Sequence, residues 1–131
     1  MTCPCGRNRA YAECCEPYHQ GLAARTPEIL MRSRYSAFAL GLAEYLSSTW
    51  HASTRPSLDL SDNPHWVKLE VLAHSQVTSE HLCEEGETGF VHFKAYYQQP
   101  GVLLSAASCL EEYSRFIFES GRWWYVDGKI L

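Results

Sequence analysis

Four of the chain's six cysteines lie in its first 15 residues: Cys3, Cys5, Cys14 and Cys15, in the pattern C-x-C-x8-C-C. Four thiolates converging in so short a span can satisfy tetrahedral Zn²⁺ at about 2.3 Å per bond. Pro4 and Gly6 shape a first turn that lets Cys3 and Cys5 face one point, and Cys14 and Cys15 come from the start of a short helical turn. Four thiolates and one dication leave a net charge of −2, which Arg7 and Arg9 soften, with hydrogen bonds to the ligands as a further role. Disulfides and free thiols are the competing readings. Adjacent cysteines rarely pair with each other, and clustered thiols in a reducing compartment mean metal, so the expectation is one structural zinc per chain. Four sulfur ligands leave no open position for catalysis. His19, four residues after Cys15, could substitute as a ligand; a surface histidine beside the knuckle is its expected role.

General acid–base chemistry would need a histidine paired with a carboxylate. The candidates are His51 at the end of a helix, His92 on a strand face shared with Lys94, Glu112 in step with Ser114, and Asp127 at the end of the last strand. The pairs to consider join His51 or His92 to Glu112 or Asp127. The competing reading leaves all four facing solvent, with His51 a cation favoured by the helix C-terminus. Arg32 and Arg34, two apart on a helix, project in different directions and read as ion-pair or surface residues. Cys83 and Cys109 stand alone and read as ordinary half-buried thiols. Trp123-Trp124-Tyr125 reads as core on one face and rim on the other. A base-stacking platform would want interleaved cations, and only Arg122 and Lys129 are near.

The elements that must position these groups divide at about residue 22. Residues 1–21 hold the clustered cysteines and almost no aliphatic side chain, so they need a staple to be ordered. Gly21 to Arg25 is a connector, and residues 22–131 form the second domain. Thr26, Pro27 and Glu28 open a helix with a cap, a first-turn proline and an acid at the positive dipole end. Met31, Tyr35, Phe38, Leu42 and Leu46 form one apolar stripe running to about Thr49, with Gly41 tolerated inside it. Residues 52–64 carry turn chemistry. Four strands follow: 65–78, with Val67, Leu69, Val71, Ala73 and Val77 on one face; 90–98; about 103 to 119; and 122–126. Glu85-Gly86-Glu87, Gln99-Pro100-Gly101 and Ser120-Gly121 turn the chain between them. A helix followed by an antiparallel meander is an α+β pattern.

Composition narrows the function. The 131 residues are 46% hydrophobic and 20% charged, the mix of a globular chain. Eleven basic against fifteen acidic side chains give a net charge of −4, which argues against non-specific nucleic-acid binding. No stretch approaches the roughly 18 apolar residues of a membrane span, and Met1 to Arg7 lack the apolar core of a secretory signal. A cytoplasmic location is the expectation.

Cys3-Pro4-Cys5-Gly6, Tyr11 and Cys14-Cys15 resemble the SEC-C zinc motif of the SecA preprotein translocase tail. Residues 31–38, Tyr45-Leu46, Thr49-Trp50-His51, Ser114-Arg115-Phe116 and 121–128 resemble the YchJ family of bacterial proteins. Many members carry a second SEC-C motif at the C-terminus, whereas this sequence ends at Leu131. The resemblance implies a nuclear-transport-factor-two-like domain, with helices packed into a curved antiparallel sheet that forms a cone with a pocket. It implies a small adaptor whose knuckle contacts a protein partner in secretion, chaperone or ribosome machinery, with Tyr11, Tyr18, Arg7 and Arg9 as the contact patch. The rival is a small-molecule-binding protein, or an isomerase- or dehydratase-like enzyme, that uses the cone pocket.

Overall fold

In the computed structural model, which describes residues 1–77, 82–99 and 107–131, helix α2 (Pro27–Leu40) starts where its cap chemistry dictates. The Ile29 N–H donates to Thr26 Oγ1 at 3.1 Å, and Pro27 takes the first helical position. The helix ends sooner than its periodicity predicts. Gly41 adopts φ 75° and the Leu42 N–H reaches back to the Ala37 carbonyl at 2.8 Å. That left-handed cap stops α2, and a separate helix α3 (Ala43–Ser48) follows. Gly41 is therefore a terminator rather than a tolerated interior residue. Before α2 come a 3₁₀ turn (Tyr11–Glu13) and the four-residue α1 (Glu16–His19).

Strands β1 (His65–His74), β2 (Thr88–Gln98), β3 (Ser108–Glu119) and β4 (Arg122–Ile130) form one antiparallel sheet in chain order. The described part of β3 begins at Ser108. The expected start near residue 103, the Pro100-Gly101 turn and residue 78 lie outside the described residues. β4 runs on to Ile130, past the Asp127-Gly128 pair expected to end it.

Alternation sets the inner face. Val91, Phe93 and Ala95 of β2, Ser114 and Phe116 of β3, and Trp123 and Tyr125 of β4 are all buried. Their apolar members pack with Leu30, Met31 and Tyr35 of α2. Strand β1 departs from strict alternation. Its register against β2 slips between Trp66 and Lys68 and again between Val71 and Ala73. The first slip puts Trp66 and Leu69, three residues apart, against the core and leaves Val67 44% exposed. The five-residue apolar face predicted for this strand is thus broken by bulges.

The helix stripe is also revised. Met31, Tyr35 and Leu46 are buried as expected, but Phe38 and Leu42 are half-buried. Leu30, Ser33, Arg34, Ser36 and Ala37 are buried as well. A single apolar stripe suits a helix with one covered side; α2 is covered by the sheet, by α3 and by the cysteine segment.

Arg34, predicted to lie at the surface or in an ion pair, is 3% exposed. Its Nη1 donates to the Leu46 carbonyl at 2.8 Å and to Thr49 Oγ1 at 2.6 Å. Its guanidinium carbon lies 4.4 Å from the centre of the Tyr125 ring and 5.0 Å from that of Trp50. This cation ties α2 to α3 and β4. Beyond α3 the chain lies along the free edge of β4: the His51 N–H donates to the Tyr125 carbonyl at 2.7 Å, and the Tyr125 N–H to the Thr49 carbonyl at 2.9 Å.

Candidate metal centre

The first ten residues fold back on themselves. The Cys3 N–H donates to the Arg9 carbonyl at 2.8 Å and the Tyr11 N–H to the Met1 carbonyl at 2.9 Å, closing a small hairpin. The turn inside it needs positive φ at Gly6 (88°) and Asn8 (56°). The 3₁₀ turn then delivers Cys14 and Cys15 to the same point. All four sulfurs lie within 4.8 Å of one another, and all four residues are buried. Tetrahedral Zn²⁺ with bonds of about 2.3 Å requires sulfur–sulfur separations near 3.8 Å, so the cluster closes on such an ion with small shifts. Cys5 Sγ and Cys14 Sγ are 3.4 Å apart, well beyond a disulfide bond, and all four thiols are free.

The electrostatics favour a cation. Hydrogen bonding from Cys15, helped by the Arg7 backbone and by Cys14 and Cys3, holds the Cys5 thiol down to about 5 against the opposing effect of burial. Burial, together with hydrogen bonding to Cys5, pushes Cys14 up to about 12. Cys15 is raised, first by its hydrogen bond to Cys5 and then by burial. One thiolate forms readily, and the next ones need a positive charge at the centre of the cluster.

The surroundings come largely from α2. Ser36 Oγ donates to Cys15 Sγ at 3.2 Å and lies 3.5 Å from Cys3 Sγ. Arg32 bonds the Cys5 carbonyl at 2.9 Å from Nη1 and Glu28 at 3.0 Å from Nε. His19 is a bridge between segments rather than a surface residue. Its Nε2 lies 2.8 Å from the Ser33 carbonyl, which can only accept, so the proton sits on Nε2 and Nδ1 accepts from the Tyr11 hydroxyl at 2.6 Å. Both ring nitrogens are used, and His19 stands outside the sulfur cluster.

Of the expected contact patch, Tyr11 is half-buried and bonded to His19, and Tyr18 packs against the core. Arg7, Asn8 and Arg9 are exposed. The roles of Ser36 and Arg34 were missed from the sequence. The only available signal was their place in a helix with apolar residues on more than one side.

The four acid–base candidates fall in four separate places. His51 Nε2 is 3.2 Å from Glu119, and His92 Nε2 is 2.7 Å from Glu111. Asp127 pairs with Arg115 at 2.6 Å. Glu112 points into the cone instead, where its Oε2 accepts from the hydroxyls of Ser114 and, at 3.2 Å, Tyr125. None of the four is brought within hydrogen-bond reach of another.

Two family models match the chain: the SEC-C motif over residues 2–17, and the middle NTF2-like domain of YchJ over residues 26–128. The chain belongs to the YchJ-like family. The family's NTF2-like domain accounts for the α+β architecture, and its SEC-C motif contains all four clustered cysteines. A UPF0225 protein of Vibrio parahaemolyticus is 45% identical over 133 residues, covering 97% of this chain and 74% of its own length. One from Bordetella parapertussis is 44% identical over 135 residues, covering 98% and 92%. The solution structure of a SEC-C motif containing protein from Rhodopseudomonas palustris, 31% identical, superimposes with a TM-score of 0.80 over 100% of this chain and 99% of that one.

Proposed function

We propose that Cys3, Cys5, Cys14 and Cys15 hold one structural Zn²⁺ and that the YchJ-like chain is a small cytoplasmic adaptor whose zinc-set turn meets a protein partner. In this reading residues 1–21 are the knuckle and residues 22–131 the NTF2-like domain that carries it. The supporting observation is the placement of four buried sulfurs within 4.8 Å, with the cysteine segment braced on α2 by Ser36, Arg32 and His19. A braced knuckle presents Arg7, Asn8 and Arg9 in one rigid turn, and rigid arginines lose little entropy on docking. By the likeness of its motif to the SEC-C tail, the partner belongs to secretion, chaperone or ribosome machinery.

The test is a capture experiment from native lysate with three baits: the unaltered chain, Cys3→Ser/Cys5→Ser, and Arg7→Glu/Arg9→Glu. The reading expects one partner that is lost with both variants, although the second keeps its zinc. A partner that persists when the arginines are reversed contradicts the docking turn.

A further inference from the structure

The cone holds a half-open cavity of about 220 Å³ between α2 and the inner face of the sheet. Most of its wall is apolar: Met31, Tyr35, Phe38, Trp66, Phe93 and Leu110. Two charged groups share it. Arg34 spends only Nη1 on hydrogen bonds, so among the described residues its Nε and Nη2 have no hydrogen-bond partner. Burial lowers this guanidinium to about 10, which leaves it charged at neutral pH. Glu112 uses only Oε2, so Oε1 is likewise free. The carboxylate occupies space that any side chain at residue 128 would fill. A Cβ on Gly128 would lie 2.2 Å from Glu112 Oε2. Trp50, also in the wall, buries its indole N–H with no acceptor among the described residues. Among the described residues the Trp50 N–H is the one side-chain polar atom buried without a partner, and such a group is costly for a fold that gains nothing else from it.

We propose that this cavity binds a small neutral molecule, mostly apolar and of about seven to ten non-hydrogen atoms at ~30 Å³ or less each, which presents a carboxamide or equivalent donor–acceptor pair to Glu112 and Arg34. The carbonyl oxygen accepts from the free guanidinium nitrogens, and the N–H donates to Glu112 Oε1. Neutrality follows from the wall. Arg34 and Glu112 cancel, so an anion would face the carboxylate and a cation the guanidinium, both at low dielectric. The site is independent of the metal centre and draws on none of its ligands.

The experiment titrates the intact ¹⁵N-labelled protein with benzamide, benzoate and benzylamine while following the four tryptophan indole signals. Trp50 and Trp66 line the cavity, whereas the Trp123 and Trp124 N–H groups bond to the carbonyls of Arg25 and Glu119 and serve as internal controls. Benzamide is expected to move the Trp50 and Trp66 signals saturably, with a Kd on the order of 1 mM for a ligand this small. Benzoate and benzylamine should bind at least about tenfold more weakly, a factor equal to one step of 1.4 kcal/mol. Glu112→Gln, which leaves Arg34 unbalanced, should shift the preference from benzamide toward benzoate by about tenfold or more. Should that variant fail to fold, Leu110→Phe at the half-buried wall should abolish the benzamide response while the control signals stay in place. Absence of a saturable shift up to about 20 mM benzamide, roughly twentyfold above the expected Kd, would overturn the proposal. So would equal movement of all four indoles, an unchanged charge preference in Glu112→Gln, or undiminished binding in Leu110→Phe.

Discussion

The Ser36 hydroxyl of α2 donates to the Cys15 sulfur at 3.2 Å, across 21 residues of chain. A serine in mid-helix would ordinarily return its hydrogen bond to its own backbone; this one is spent on a sulfur of the cysteine cluster in another segment. The cysteine cluster and the central helix are therefore coupled through one hydroxyl.

Replacing Ser36 by alanine should weaken zinc binding by about tenfold or more, the usual effect of removing a group that orients a ligand. Competition against a chromophoric chelator measures this. The far-ultraviolet circular dichroism should be unchanged, because alanine suits the helix.

Arg34 and Phe38 should exchange the ranks that helical periodicity assigns them. Arg34→Ala removes a buried cation with two hydrogen bonds and two aromatic faces, and should cost about 3 kcal/mol or more in a urea titration. Phe38 is half-buried at the cavity wall, so Phe38→Ala should cost about 2 kcal/mol, below the range for a fully buried ring. Arg34→Lys should not restore the loss, since an ammonium lacks the planar fork.

Much of this was legible in the residues. Thr26 and Pro27 announced the start of α2, the alternation that put His92 and Lys94 on one face of β2 leaves the buried Val91, Phe93 and Ala95 on the other, and the spacing of Cys3, Cys5, Cys14 and Cys15 announced the sulfur cluster. The errors share a cause: they sit where tertiary contacts override local pattern. Gly41 looks the same as an interior glycine or as a left-handed cap until the chain beyond it is placed. A bulge at Val67 cannot be told from perfect alternation without a partner strand. Arg34 is charged and in mid-helix, and only Trp50 and Tyr125, brought in from distant positions, explain its burial.

Stability should depend on pH through His19. Burial holds its ring below the ordinary histidine value near 6.5. The folded state keeps the neutral form, so the unfolded chain takes up a proton first as pH falls. The stabilisation is then complete above about pH 6.5 and declines below it. Chemical denaturation at pH 7.5, 6.5 and 5.5 should show a steeper loss for the unaltered chain than for His19→Gln. Parallel slopes would mean that the ring titrates freely.

Surface ion pairs should matter little. Asp127→Asn separates the exposed Arg115 pair, and His92→Ala the half-exposed Glu111 pair. Each should change unfolding free energy by less than about 1 kcal/mol. A larger loss at His92 in the same urea titration would give that residue a structural part it lacks here.

The central claim is the four-sulfur zinc centre, and X-ray absorption at the zinc edge tests it most directly on protein purified without chelator. The account predicts about one zinc per chain, surrounded by four sulfur scatterers at about 2.3 Å. It further predicts that Cys5→Ser replaces one of them with a lighter atom or loses the metal. A first shell containing nitrogen in the unaltered chain, or fully reduced protein without zinc, would contradict it.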